Sequence, residues 1–145
     1  MYFKAIKKIP LISVLLLSLI NIGVAAELTV KIEGDSSDGN IGCALFSNPK
    51  GFPMDAGGAI QKFAQNTPMG TAFVFSNLKS GQYAVSVMND QNGNKILDKN
   101  LLGIPKEEWG VSNNVRPTLR APKFEEAVFE VDEKSDLTLK IRIQK

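Results

Sequence analysis

The sequence predicts an all-β protein, a single antiparallel β-sandwich with one long ordered loop. Three observations predict it. Six stretches of strand length either alternate apolar with polar residues or run apolar throughout. Clusters of Gly, Pro, Asn and Asp separate them. Beyond residue 26 no segment sustains a helical period.

In chain order, ELTVKIEG comes first, with Leu28, Val30 and Ile32 on one face and Thr29, Lys31 and Glu33 on the other. Asp38-Gly39 in DSSDGN is a strong hairpin signal, so IGCALF is expected to return beside the first strand. Residues 47–70 are mostly loop, punctuated by Pro49, Gly51, Pro53, Gly57, Gly58, Pro68 and Gly70; AIQKFAQ within them suggests one helical turn. TAFVFSNL puts Phe73 and Phe75 on one face, Leu78 to Gly81 turn the chain, and QYAVSVMND is the next strand. Residues 90–122 show little periodicity, and so long a connection is expected to be functional or ordered by other means. KFEEAVFEV is read as a strand with Ala127, Phe129 and Val131 together. SDLTLKIRIQK closes the chain with Leu137, Leu139, Ile141 and Ile143 facing in.

The N-terminal residues have a different character. Lys4, Lys7 and Lys8 precede an apolar run from Leu11 to Ile20, and Val24-Ala25-Ala26 offers small residues at a cleavage site. That is the layout of a secretory signal peptide spanning residues 1–26, with residues 27–145 as the mature domain in the periplasm or outside the cell. The apolar run is shorter than the roughly 20 residues that span a bilayer, and no Cys follows it to carry a lipid. Removing its three lysines from 17 basic side chains leaves 14 against 15 acidic ones, a net charge of −1. Neither nucleic acid nor, after cleavage, a membrane is therefore expected as a partner. The lone Cys43 rules out an intrachain disulfide and reads as a small buried hydrophobe in IGCALF. The absence of His removes Ser-His-Asp and Cys-His catalysis and the His-based zinc and iron sites.

The stretch DQNGNKILD places Asp90, Asn92, Asn94, Ile96 and Asp98 at positions 1, 3, 5, 7 and 9. Calcium takes six to eight oxygens, often from alternating positions of one loop. Here Ile96 is expected to offer its carbonyl and tuck its side chain into the core. The pattern departs from a helix–loop–helix site: Lys95 replaces the Gly at position 6 and Leu101 the Glu at position 12. Two carboxylates opposed by Lys95 and Lys99 imply an affinity of roughly 10⁻⁴ to 10⁻³ M, unless Glu107 or Glu108 folds back as a further ligand. The competing reading is a metal-free turn, since Asp, Asn and Gly favour turns through side-chain bonds to the backbone.

A second candidate surface is GIPKEEWGVSNN, with Glu107, Trp109, Ser112, Asn113 and Asn114. Its aromatic residue suggests docking of an envelope protein or glycan, against the alternative that Trp109 packs over the end of the sandwich. Glu107 and Glu108 as a glycosidase pair would make the protein an envelope polysaccharide hydrolase, but adjacent side chains rarely share a cleft. A non-enzymatic module is the expectation, with calcium as its one candidate cofactor.

The segment FSNLKSGQYAVSVMNDQNGNKILDKNLLGIPKEEWGVSNN resembles a family of exported bacterial proteins, domain of unknown function 2141. The likeness rests on the turn Asn77 to Val85 and on Asp90, Asn92, Asn94, Asp98, Asn100, Gly103, Pro105, Glu107, Gly110, Ser112, Asn113 and Asn114, with Gly51-Phe52-Pro53 and residues 121–127 in support. It implies no catalytic residues, because the family has no agreed activity. Where the family commonly has His, this chain has Asn89. The turn is also similar to immunoglobulin-like and prealbumin-like sandwich modules, some of which bind calcium at comparable loops.

Overall fold

A computed structural model describes residues 26–34 and 38–145. The expected signal peptide lies outside the described residues except for Ala26, the first residue of β1 (Ala26–Glu33), which is buried opposite Leu78. The other strands are β2 (Asn40–Phe46), β3 (Ile60–Gln65), β4 (Thr71–Leu78), β5 (Gly81–Asp90), β6 (Trp109–Val111), β7 (Phe129–Val131) and β8 (Leu137–Arg142). One short helix, α1 (Phe124–Ala127), precedes β7.

Two sheets stack as a sandwich. One has the order β4-β1-β8 and the other β3-β2-β5-β6, with β7 also paired to β5. All pairs are antiparallel except β1 with β8, which run parallel from Leu28 opposite Leu137 to Glu33 opposite Arg142. The alternating faces read from the sequence point where their periods require. Leu28, Val30, Phe73, Phe75, Val85 and Ile141 meet between the sheets, each at most 5% exposed.

Three expectations need correction. Asp38-Gly39 makes no hairpin, because β1 and β2 belong to different sheets. Gly39 still needs its left-handed φ of 92°, and a Cβ there would lie 2.4 Å from Asn89 Oδ1. Residues 60–65 are no helical turn but the edge strand β3, pairing with β2 from Leu45 opposite Ile60 to Asn40 opposite Gln65. Residues 123–131 are not one strand. Glu126 accepts the Lys123 N–H at 2.8 Å and closes a helical turn that buries Phe124 and Ala127 three residues apart, before β7 begins. Residues 90–122 are ordered in part by pairing: β6 pairs with β5 and also bridges Gln144, and residues 112–114 form a 3₁₀ turn.

The sheet containing β5 is covered on both faces, which explains why IGCALF is apolar throughout rather than alternating. On its outer face Phe46, Ala84, Trp109, Val111, Phe124 and Ala127 form a second core beneath the long connections. Phe52 bridges Phe46 and Phe124 by edge-to-face contacts, with centroids 5.2 and 5.8 Å apart. This second core is the floor on which the candidate site is built.

Candidate functional site

The loop after β5 closes around Asp90, which is 1% exposed. Its Oδ1 accepts the N–H groups of Gly93 and Asn94 at 2.8 and 3.2 Å, and its Oδ2 accepts that of Lys95 at 2.8 Å. Three of roughly four lone-pair positions on a carboxylate are thus filled by backbone. The chain can bend this tightly because Gly93 and Lys95 take left-handed φ values of 79° and 63°. Glu107, also buried, does the same from the far side. Its Oε1 accepts the Gln91 N–H at 2.9 Å and its Oε2 the Asp98 N–H at 3.2 Å. Glu107 therefore ties both ends of DQNGNKILD together, and Asp90 holds its middle.

Within that ring three polar side chains meet. Asp98 Oδ2 accepts from Asn92 Nδ2 at 2.6 Å and from Asn94 Nδ2 at 3.2 Å. The amide oxygens of Asn92 and Asn94 accept the N–H groups of Asn94 and Ile96 at 3.0 and 2.8 Å. The structure brings the side chains of Asn92, Asn94 and Asp98 together, while the Asp90 carboxylate faces the backbone N–H groups of the loop instead of joining them. Ile96 departs from expectation. Its side chain is 63% exposed, and Leu97 instead packs on the second core. Lys95 directs its ammonium over the Phe63 ring, 5.4 Å from the centroid, which removes one charge from the loop interior. Among the described residues no three Asp, Glu, Cys or His side chains group as a metal cage. An ion here would displace the Asn92 and Asn94 Nδ2 donors from the Asp98 carboxylate and need both amides to rotate, since their oxygens now accept backbone N–H groups.

The residues of the second candidate surface are engaged with the protein's own chain. Trp109 is 9% exposed, and the Arg116 guanidinium lies 4.4 Å from its ring centroid. Burial lowers the Arg116 pKa, while its N–H groups donate to Trp109 O at 3.1 Å and Gln144 O at 2.8 Å. Ser112 Oγ accepts the Val85 N–H at 2.9 Å and donates to Ala127 O, tying β5 to α1. Asn113 Nδ2 donates to Glu126 O and Val128 O. Asn114 continues the edge of β8, with Nδ2 donating to Lys140 O and Oδ1 accepting the Arg142 N–H. Both asparagines tolerate positive φ, 61° and 52°, as these bends require. Three residues before Asn113, Gly110 passes so close to β8 that a Cβ would lie 2.3 Å from Arg142 O. Glu107 and Glu108 diverge: Glu107 faces the loop backbone, while Glu108 accepts from Asn89 Nδ2 at 3.1 Å.

Sequence reasoning missed three features. Asn89 is fully buried, and among the described residues its Oδ1 is the buried side-chain oxygen without a hydrogen-bond partner. Arg120 and Glu126 form a two-pronged pair at 2.8 and 2.6 Å, and this bonding holds the Glu126 carboxyl at about 2. Asn100 builds a turn of its own, described below. Cys43 is 1% exposed, and burial pushes its thiol up to about 12, so it is chemically quiet.

Fold and site together define a β-sandwich module whose long connection is folded by its own polar side chains. A family model described as "Uncharacterized protein conserved in bacteria (DUF2141)" matches residues 30–138, and the chain belongs to that family. No curated protein and no solved structure matches it.

Proposed function

We propose that the protein is an exported, non-enzymatic β-sandwich module whose 90–98 loop binds calcium and is stabilised by it. One observation carries the reading: Asn92, Asn94 and Asp98 converge on one point inside a ring closed by Asp90 and Glu107. A hard cation replacing the two amide N–H donors would meet the Asp98 carboxylate directly. Rotation of the amides would bring Asn92 and Asn94 oxygens to it, with the Ile96 carbonyl and water completing the shell. Exchanging two neutral amide contacts for one divalent ion is favourable at Asp98, but the low carboxylate count keeps affinity in the range of roughly 10⁻⁴ to 10⁻³ M. Such a site suits the calcium-rich space outside a cell rather than a cytosolic sensor. Export itself rests on the N-terminal leader pattern.

The test compares thermal melting in millimolar calcium and in chelator. A ligand that binds only the folded state raises its apparent stability. Asp98→Asn is the informative variant, because it keeps the shape and removes the charge. The wild type should melt higher in calcium and Asp98→Asn should not. An unchanged wild-type melt, or an equal rise in the variant, contradicts the proposal.

A further inference from the structure

The near-neutral net charge hides a local segregation in the second half of the long connection. Asn100 folds residues 99–105 into a small projection. Its Oδ1 accepts the N–H groups of Leu102 and Ile104 at 2.9 and 3.0 Å, and its own N–H donates to Ile104 O at 2.9 Å. Gly103, at φ 78°, donates to Asn100 O, and Lys99 pairs with Pro105 across the base. The projection is internally braced, yet it presents apolar side chains to water. Leu101 is 106% exposed, Leu102 84% and Ile104 56%, and Leu119 nearby is 96% exposed. Leu102, Ile104 and Leu119 line one groove of about 490 Å³. Single exposed leucines need no explanation, but Leu102, Ile104 and Leu119 on one groove, with the exposed Leu101 next to Leu102 in the chain, do.

The charged side chains lining that groove have one sign, beside the α-carboxylate of Lys145 and the Glu126 partner of Arg120. Lys99, Arg116, Arg120 and Lys145 line it, and no Asp or Glu does. Among the described residues neither Lys99 nor Lys145 has a carboxylate within ion-pair distance. Arg116 is fixed by Trp109, and Arg120 shares its charge with Glu126.

We propose that this face is a membrane-docking tip for an anionic phospholipid surface. Leu101, Leu102 and Leu119 enter the boundary between headgroups and acyl chains, and the cations meet lipid phosphates. Fully exposed leucine side chains beside cations favour an anionic bilayer surface over a protein partner. Separate leucine tips enter a fluid interface without a matching cavity, whereas a protein partner must offer complementary pockets. Among the described residues no helix is long and apolar enough to cross a membrane, and the contact is with a surface. The docking does not depend on calcium.

The experiment is co-sedimentation in chelator, so the calcium reading stands or falls separately. The chain is used as recovered from the expressing bacterium, with its N terminus read by mass spectrometry. Vesicles of phosphatidylglycerol with phosphatidylcholine are compared with phosphatidylcholine alone. The wild type should pellet with the anionic vesicles and be released by salt. The Leu101→Asp/Leu102→Asp variant, with the same N terminus and an unchanged melt, should bind at least about tenfold more weakly. Equal binding by that variant overturns the proposal, and so does absence of binding to anionic vesicles. Self-association abolished by the same variant, without vesicle binding, would assign the face to a second copy and also overturn it.

Discussion

Two neighbouring halves of one connection treat their side chains in opposite ways. Residues 90–98 turn polar groups inward onto their own backbone, while residues 99–105 brace a short turn and turn apolar groups outward. In the first half, Asp90 and Glu107 stand in for the ladder bonds that a strand would have supplied. In the second half, Asn100 fixes the turn so completely that its leucines need contribute nothing to folding. Polar composition therefore marks the structural half and apolar composition the outward-facing half, the reverse of the usual surface rule.

The contrast breaks most sharply at Asp90. Asp90→Ala removes a buried carboxylate and takes the acceptor from the Gly93 and Lys95 N–H groups, while Asn94 keeps Asn92 Oδ1, and should cost about 2 kcal/mol in chemical denaturation. A loss below about 1 kcal/mol would show that the loop does not need its carboxylate. Ser112→Ala orphans the buried Val85 N–H and should cost about 1–3 kcal/mol by the same measurement. Asp98 lies nearer the surface and bonds only side-chain amides. In chelator, Asp98→Asn should shift stability by no more than about 1 kcal/mol, with the loss of the calcium response as its chief effect. At the mild end, Leu101→Asp/Leu102→Asp should leave stability within about 0.5 kcal/mol, since neither side chain is buried.

A pH experiment sharpens the comparison from outside the loop. Glu126 titrates at about 2 in the folded protein against an ordinary 4.5, because Arg120 and the Lys123 N–H bond its charged form. A depressed carboxyl contributes stability above its unfolded pKa and loses it as pH falls through the folded value. The contribution should therefore fade between pH 4.5 and about 2. A side-chain carboxyl titration by NMR should show the low midpoint, and Arg120→Ala should move it back towards 4.5.

Much of the sandwich was legible because strand periodicity reports which face is buried. Leu28, Val30, Phe73 and Phe75 could be placed from spacing alone. What spacing does not carry is which strand comes next. Asp38-Gly39 signals a bend, but the same chemistry serves a hairpin or a crossing between sheets. A three-residue strand such as β6 is too short to show a period. In α1, the i, i+3 burial of Phe124 and Ala127 is masked in the sequence by the alternation of Ala127, Phe129 and Val131 that runs on into β7. The candidate loop was found from its oxygen spacing. The work done by Ser112 and Asn114 was not, because their backbone partners lie 27 and 28 residues away.

The most direct test is a calcium titration of the isotope-labelled protein followed through its backbone amides. The account predicts saturable shifts at Gln91 to Asp98, spreading to Glu107 through its bond to the Asp98 N–H, with Leu101 to Ile104 unmoved. Amides of 91–98 that stay still in millimolar calcium, or a tip that moves as much as the loop, would contradict it.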